Sequence, residues 1–109
     1  EEMLLVLPET EIESALMLAQ RLVADFAAIC EPHAASDLGI LTTSGGVSAS
    51  NVGEANFGSW QETVEHADLG LYEAKRLGRN RACCADPGGK VSPALLAGAP
   101  GESANQPQV

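Results

Sequence analysis

The apolar positions fall into three kinds of pattern along this chain. Met3-Leu4-Leu5-Val6-Leu7 is a continuous apolar run stopped by Pro8, and its shortness and the proline predict a buried strand. Thr10-Glu11-Ile12-Glu13 then reads as a capping box, with Thr10 at the N-cap and Glu13 three residues on. Behind it Ile12, Ala15, Leu16, Ala19, Leu22, Val23, Phe26 and Ala27 recur at three- and four-residue spacing. That is one face of an amphipathic helix reaching about Cys30, with Pro32 beyond its end. Ile40 to Ser48 predicts a second strand, and Gly45 and Gly46 inside it point to a bulge or to close backbone approach. Asn51 to Gly58 is polar and reads as a loop.

Ser59-Trp60-Gln61-Glu62 is a second capping box. The helix after it places Trp60, Val64, Ala67, Leu71 and Ala74 on its inner face and has Gly78 as a natural C′ residue. Arg81 to Cys84 predicts a brief final strand. The order strand, helix, strand, helix, short strand gives an α/β (α+β sandwich) class, with helices packed on a sheet. Residues 85–109 change character. Eight of the last 24 residues are Pro or Gly and none is aromatic, which predicts a disordered tail rich in Pro, Gly and Ala.

With 109 residues the chain allows at most one small domain. Only four residues are aromatic, so the core must be aliphatic. The formal net charge of -9 argues against binding nucleic-acid polymers or an anionic membrane surface, both of which select excess Lys and Arg. Cys30, Cys83 and Cys84 are odd in number and lack metal spacing, which predicts reduced, mostly buried thiols of a cytoplasmic protein. No signal peptide opens the chain and no run of 18 apolar residues occurs. The chain reads as beginning inside a domain, because Glu1 leads almost directly into the first apolar run.

Against this acidic background, Lys75, Arg76, Arg79 and Arg81 gather four of the six basic residues within seven positions. Helical spacing places Lys75 and Arg79 on one side of the C-terminal turn. They either complement the helix dipole, worth under about 1 kcal/mol, or hold a phosphate, with Lys as a point charge and Arg as a fork. Glu1 and Glu2 are adjacent hard-oxygen donors, of the kind that hold Mg²⁺ on substrate phosphates, or else they are solvated surface acids. Asp68 lies near the inner face and reads as a structural hydrogen-bonding acid. Tyr72 reads as packed with its hydroxyl at the surface. His33 and His66 have no partners at suggestive spacing and read as surface residues.

Three segments in fixed order resemble the GGDEF domain of diguanylate cyclases. Glu1-Glu2-Met3-Leu4-Leu5-Val6-Leu7-Pro8-Glu9-Thr10 is similar to the acidic end of the signature, the strand after it and a Pro-Glu-Thr lead into a helix. Thr43-Ser44-Gly45-Gly46-Val47-Ser48 resembles the family's later Ser-x-Gly-Val strand. Ala67-Asp68, Leu71-Tyr72, Ala74-Lys75 and Gly78-Arg79-Asn80 resemble its C-terminal helix and the exit from it. The likeness covers residues 1–84, and its last segment is the most specific.

The resemblance implies a fold similar to adenylyl cyclase catalytic domains and polymerase palms, incomplete at its N-terminal side. It implies an enzyme that condenses two GTP into the bacterial second messenger cyclic di-GMP and releases two pyrophosphates. Glu1 matches the third motif residue, a metal ligand and proposed base, and Glu2 matches the fourth, a further acid of the metal site. Lys75 and Arg79 match cations that contact the triphosphate. The implied cofactor is Mg²⁺, with Mn²⁺ as an alternative, and the implied assembly is a homodimer of facing GTP sites in the cytoplasm.

Departures from the family pattern are also visible. The motif glycines, the first metal-binding Asp, the guanine-reading residues and the Arg-x-x-Asp product site are not in this chain. Met3 replaces the usual Phe, and Gly45 stands where the family prefers an aliphatic residue. The expectation is that this piece alone neither folds stably nor turns over GTP, and that activity belongs to the parent protein. The competing reading is a catalytically silent GGDEF domain that binds GTP or a partner and regulates an attached domain.

Overall fold

The computed structural model describes residues 1–51, 53–54 and 58–92. The elements run α1 (Ile12–Ala28), β1 (Gly45–Val47), α2 (Trp60–Arg76), β2 (Ala82–Ala85) and β3 (Val91–Ser92). The three strands form one sheet in the order β1-β2-β3. β1 and β2 are parallel, with Gly45 opposite Ala82 and Val47 opposite Cys84, so α2 is the crossover that parallel neighbours require. β3 returns antiparallel, with Cys84 opposite Ser92.

β2 is the centre of the structure, and all four of its residues are buried. Alternation along the strands assigns the helices to opposite faces. A Cβ at Gly45 would face Ala19 of α1, whereas one at Gly46 would run into the Ala67 carbonyl and Leu71 amide of α2. Under α1 lies the cluster of Leu16, Ala82 and Cys84, flanked by Ile12, Ala19 and Val47. Leu16 is 2% exposed, and burying such a side chain contributes roughly 1.5–3 kcal/mol. On the other face, a Cβ at Gly70 would stand 2.8 Å from the Cys83 carbonyl oxygen and 3.2 Å from the Gly46 Cα. The expected close backbone approach at Gly46 is therefore met from the helix side by Gly70, which the sequence reading passed over.

α2 begins as expected. Ser59 is its N-cap, and the hydroxyl accepts from the Glu62 amide at 3.1 Å. α1 does not. Glu11 takes the N-cap position with no side-chain cap, because Thr10 Oγ1 donates to the Pro8 carbonyl and Glu9 turns the chain at φ 54°. The inner faces hold in outline, with Ala15, Leu16 and Val23 buried on α1 and Ala74 on α2. Leu22 and Trp60 are corrections, at 44% and 65% exposed. Seventeen helical residues span about 25 Å, whereas strands of three or four residues span about 10–14 Å. The first turn of α2 therefore overhangs the sheet.

Further expectations are corrected by pairing. Met3 to Leu7 forms no strand, since no described residue pairs with it, and Met3, Leu4, Leu5 and Val6 are each 64% exposed or more. Of the strand expected from Ile40 to Ser48, only Gly45–Val47 joins the ladder, and Ile40 makes a lone bridge to Pro32. Cys30 is exposed rather than buried, just past the end of α1 at φ 56°. Asp86 to Ser92, expected to belong to the disordered tail, forms a hairpin. The Asp86 carboxylate accepts from the amides of Gly88 and Lys90 at 2.9 and 2.8 Å, and Gly89 supplies the positive φ of the turn. Pro, Gly and Asp gathered there for turn chemistry. Residues 93–109 lie outside the described residues, as does the disorder expected of them.

Candidate functional site

The cation cluster sits where α2 stops, and the stop is well defined. Leu77 is the C-cap, and the Gly78 amide donates to the Lys75 carbonyl at 3.3 Å. The Arg79 amide donates to the Ala74 carbonyl at 2.9 Å. These two bonds make a Schellman motif, with Gly78 at C′ and φ 127°. Arg79 therefore lies beyond the helix, at φ 64°, and the helical spacing expected between Lys75 and Arg79 does not apply. Both side chains are exposed.

The four cations separate by what holds them. Arg76 makes a two-pronged pair with Glu73, through Nε at 2.9 Å and a second nitrogen at 2.5 Å. The hydrogen bonds from Arg76 hold the Glu73 carboxyl below the usual carboxylate range, and those to Glu73 hold Arg76 above its own. Arg81 folds back so that its Nε donates to the Arg79 carbonyl at 2.9 Å. Among the described residues the ion pairs are Arg21–Asp25 and Arg76–Glu73, and neither Lys75 nor Arg79 takes part in one. Of the four, Arg76 alone is paired with a carboxylate among the described residues, Arg81 spends its Nε on a backbone carbonyl, and Lys75 and Arg79 are exposed with free side-chain donors.

Glu1 and Glu2 are exposed at the start of the unpaired N-terminal segment and take part in neither ion pair. Among the described residues no ion pair links them to Lys75 or Arg79. The two carboxylates suit Mg²⁺ in donor chemistry, since that ion takes one or two carboxylates and fills its octahedron with phosphate and water oxygens. No group of three or more His, Cys, Asp and Glu among the described residues is arranged to hold a metal. The pair would therefore depend on oxygens from a ligand.

A groove of about 400 Å³ opens at the other end of α2, lined by Glu9, Glu11, Glu54, Glu62, Thr63 and His66 among others. None of the expected site residues lines it. His66 is half-buried there rather than at the open surface, while Asp68 and Tyr72 are exposed. The sequence reading also missed Ser44 and Asn80 as site residues. The Asn80 amide donates to Ser44 Oγ at 3.1 Å, tying the exit of α2 to the start of β1 across 36 residues. In the sequence both stand out only as parts of motifs.

Comparison with known proteins adds the family. The family model for the diguanylate cyclase GGDEF domain matches residues 1–81. The chain belongs to the GGDEF family. It is also 38% identical over 81 residues to the diguanylate cyclase DgcP of Pseudomonas aeruginosa. That match covers 74% of this chain but only 11% of the length of the relative. No solved structure matches. Two helices on a small mixed sheet are what part of a GGDEF domain, an α/β palm-like fold, would give. Among the described residues no helix is long and apolar enough to cross a membrane.

Proposed function

We propose that this chain is the C-terminal part of a diguanylate cyclase domain, residues 1–84, in a parent protein that joins two GTP into cyclic di-GMP. In each half-reaction the 3′-hydroxyl oxygen of one GTP forms a bond to the α-phosphorus of the other, and the bond from that phosphorus to pyrophosphate breaks. Glu1 accepts the hydroxyl proton. Glu2 and Glu1 are the carboxylates that would hold Mg²⁺ (or Mn²⁺), which when bound neutralises phosphate charge. Lys75 contacts the triphosphate as a point charge, and Arg79 takes two oxygens with its fork. Both favour the charge that grows on the leaving pyrophosphate. Because each active centre handles two GTP molecules, the working form is a homodimer with its sites face to face. The setting is the bacterial cytoplasm, in second-messenger signalling.

One observation carries this reading. At the surface, Arg76 is bonded to Glu73 and Arg81 Nε to the Arg79 carbonyl, whereas the Lys75 and Arg79 side chains at and just past the end of α2 take part in no ion pair among the described residues. The family pattern assigns phosphate contacts to those same two residues. The test is cyclic di-GMP formation from GTP and Mg²⁺ by the full-length protein, with Glu2→Ala as control. Wild type is expected to form product, and Glu2→Ala to lose about 100-fold or more, the scale for removing a charge-stabilising group. A folded dimer that binds GTP and forms no product would leave the regulatory, catalytically silent reading in its place.

A further inference from the structure

We propose that Ser44 and Asn80 are positioning residues that set the direction of Arg79. The inference rests on the reading of Arg79 as a phosphate contact. After α2 the chain takes three positive φ angles in succession, 127° at Gly78, 64° at Arg79 and 53° at Asn80. Glycine adopts such angles freely, and Asn tolerates them. Two side-chain-bearing residues in a row do so only where the surroundings over-determine the backbone.

The surroundings here do that at both peptide groups flanking the Arg79 Cα. The amide on its N-terminal side donates to the Ala74 carbonyl at 2.9 Å. On its C-terminal side, the Arg79 carbonyl accepts from Arg81 Nε at 2.9 Å and the Asn80 amide donates to Ser44 Oγ at 3.1 Å. Three hydrogen bonds therefore orient the Cα to Cβ bond of Arg79, while its guanidinium stays uncommitted. Ser44 immediately precedes β1, and the next amide along, that of Gly45, donates to the Arg81 carbonyl at 2.9 Å. The loop is thus referenced to the buried sheet rather than to solvent. A fork that must meet two phosphate oxygens gains from such a base, because an error of about 1 Å in placing a contact can cost up to about 100-fold in rate.

The experiment is a double-mutant cycle on the full-length protein with Ser44→Ala, Arg79→Ala and the double variant. Initial rates over a range of GTP give kcat/KM, calorimetry with inorganic pyrophosphate gives anion affinity, and hydrogen exchange follows the Asn80 amide. Ser44→Ala is expected to speed exchange at Asn80 and to lower kcat/KM and pyrophosphate affinity by about 10- to 100-fold. In the Arg79→Ala background the same change is expected to cost less than about twofold, since sites that act through one another are non-additive. Ser44→Thr, which keeps the acceptor, should restore most of the loss. If Ser44→Ala fails to fold, Asn80→Val against Asn80→Gly takes its place. Gly adopts the left-handed angle and should keep activity, and Val resists it and should lose activity. An equal loss from Ser44→Ala with and without Arg79 would overturn the inference, as would no loss in a protein that Arg79→Ala disables. If Arg79→Ala itself changed neither turnover nor pyrophosphate affinity, the phosphate reading would fall and take this inference with it.

Discussion

Arg76 and Arg79 carry the same guanidinium three residues apart and are used differently. Arg76 stays in the last helical turn, where Glu73 lies one turn back and closes on it. Arg79 falls after Gly78 and takes part in no ion pair among the described residues. Because Glu73 is held below its ordinary range, the pair's contribution is present above the unfolded carboxylate pKa. It is lost as pH falls through the folded value, and acid then frees Arg76. The cysteines divide in the same residue-by-residue way. Burial pushes the Cys83 and Cys84 thiols up because it disfavours the thiolate, so stability falls as pH rises from the unfolded thiol value through the folded ones. Cys30 is exposed. Iodoacetamide on the native protein should therefore modify Cys30 and leave Cys83 and Cys84 intact until the chain is unfolded, as read by peptide mass. Equal labelling of all three would contradict the placement of β2 at the centre.

At the scale of elements, two adjacent glycines in β1 make opposite predictions. A Cβ at Gly45 would meet Ala82 Cβ at 3.6 Å and Ala19 Cβ at 3.9 Å, which is ordinary packing. Gly45→Ala should be neutral or stabilise by about 0.4–1 kcal/mol, through the unfolded chain's lost freedom. A Cβ at Gly46 would collide with backbone atoms of Ala67 and Leu71, which cannot rotate away. Gly46→Ala should cost about 1–3 kcal/mol by overpacking. Urea unfolding of both variants checks the pair, and a Gly46→Ala protein as stable as wild type would contradict the packing of α2 on β1. Much of this architecture was legible in local chemistry. Ser59 as a cap, Gly78 as C′, and the periodic faces of both helices depend on neighbours within about four residues, and those neighbours are in the sequence. The failures were non-local or ambiguous. Whether Met3 to Leu7 is a strand depends on a partner, which its apolar run cannot name. Thr10 had two acceptable uses for its hydroxyl, and the Pro8 turn took it. The Asp-Pro-Gly-Gly stretch at Asp86 has the composition of a disordered tail and the residue order of a turn, and the order decides. Of the site, the cations were legible as a cluster, but the sorting of four into two bound and two free required the folded loop.

The whole molecule has poles. His66 borders the acidic groove and Lys75 begins the cation cluster, and the two are nine positions, about 14 Å, apart along α2. A chain with net charge -9 therefore keeps its groove acids and its free cations apart. The Glu1–Glu2 carboxylates stand at the start of a segment whose apolar residues Met3 to Val6 are open to solvent. The most direct test compares Arg79→Ala with Arg76→Ala in the full-length protein, measuring cyclic di-GMP formation and thermal stability together. The account predicts that Arg79→Ala lowers turnover by about 100-fold or more with little change in stability, while Arg76→Ala keeps near-normal turnover. Equal turnover in the two variants, whether both high or both low, would contradict it.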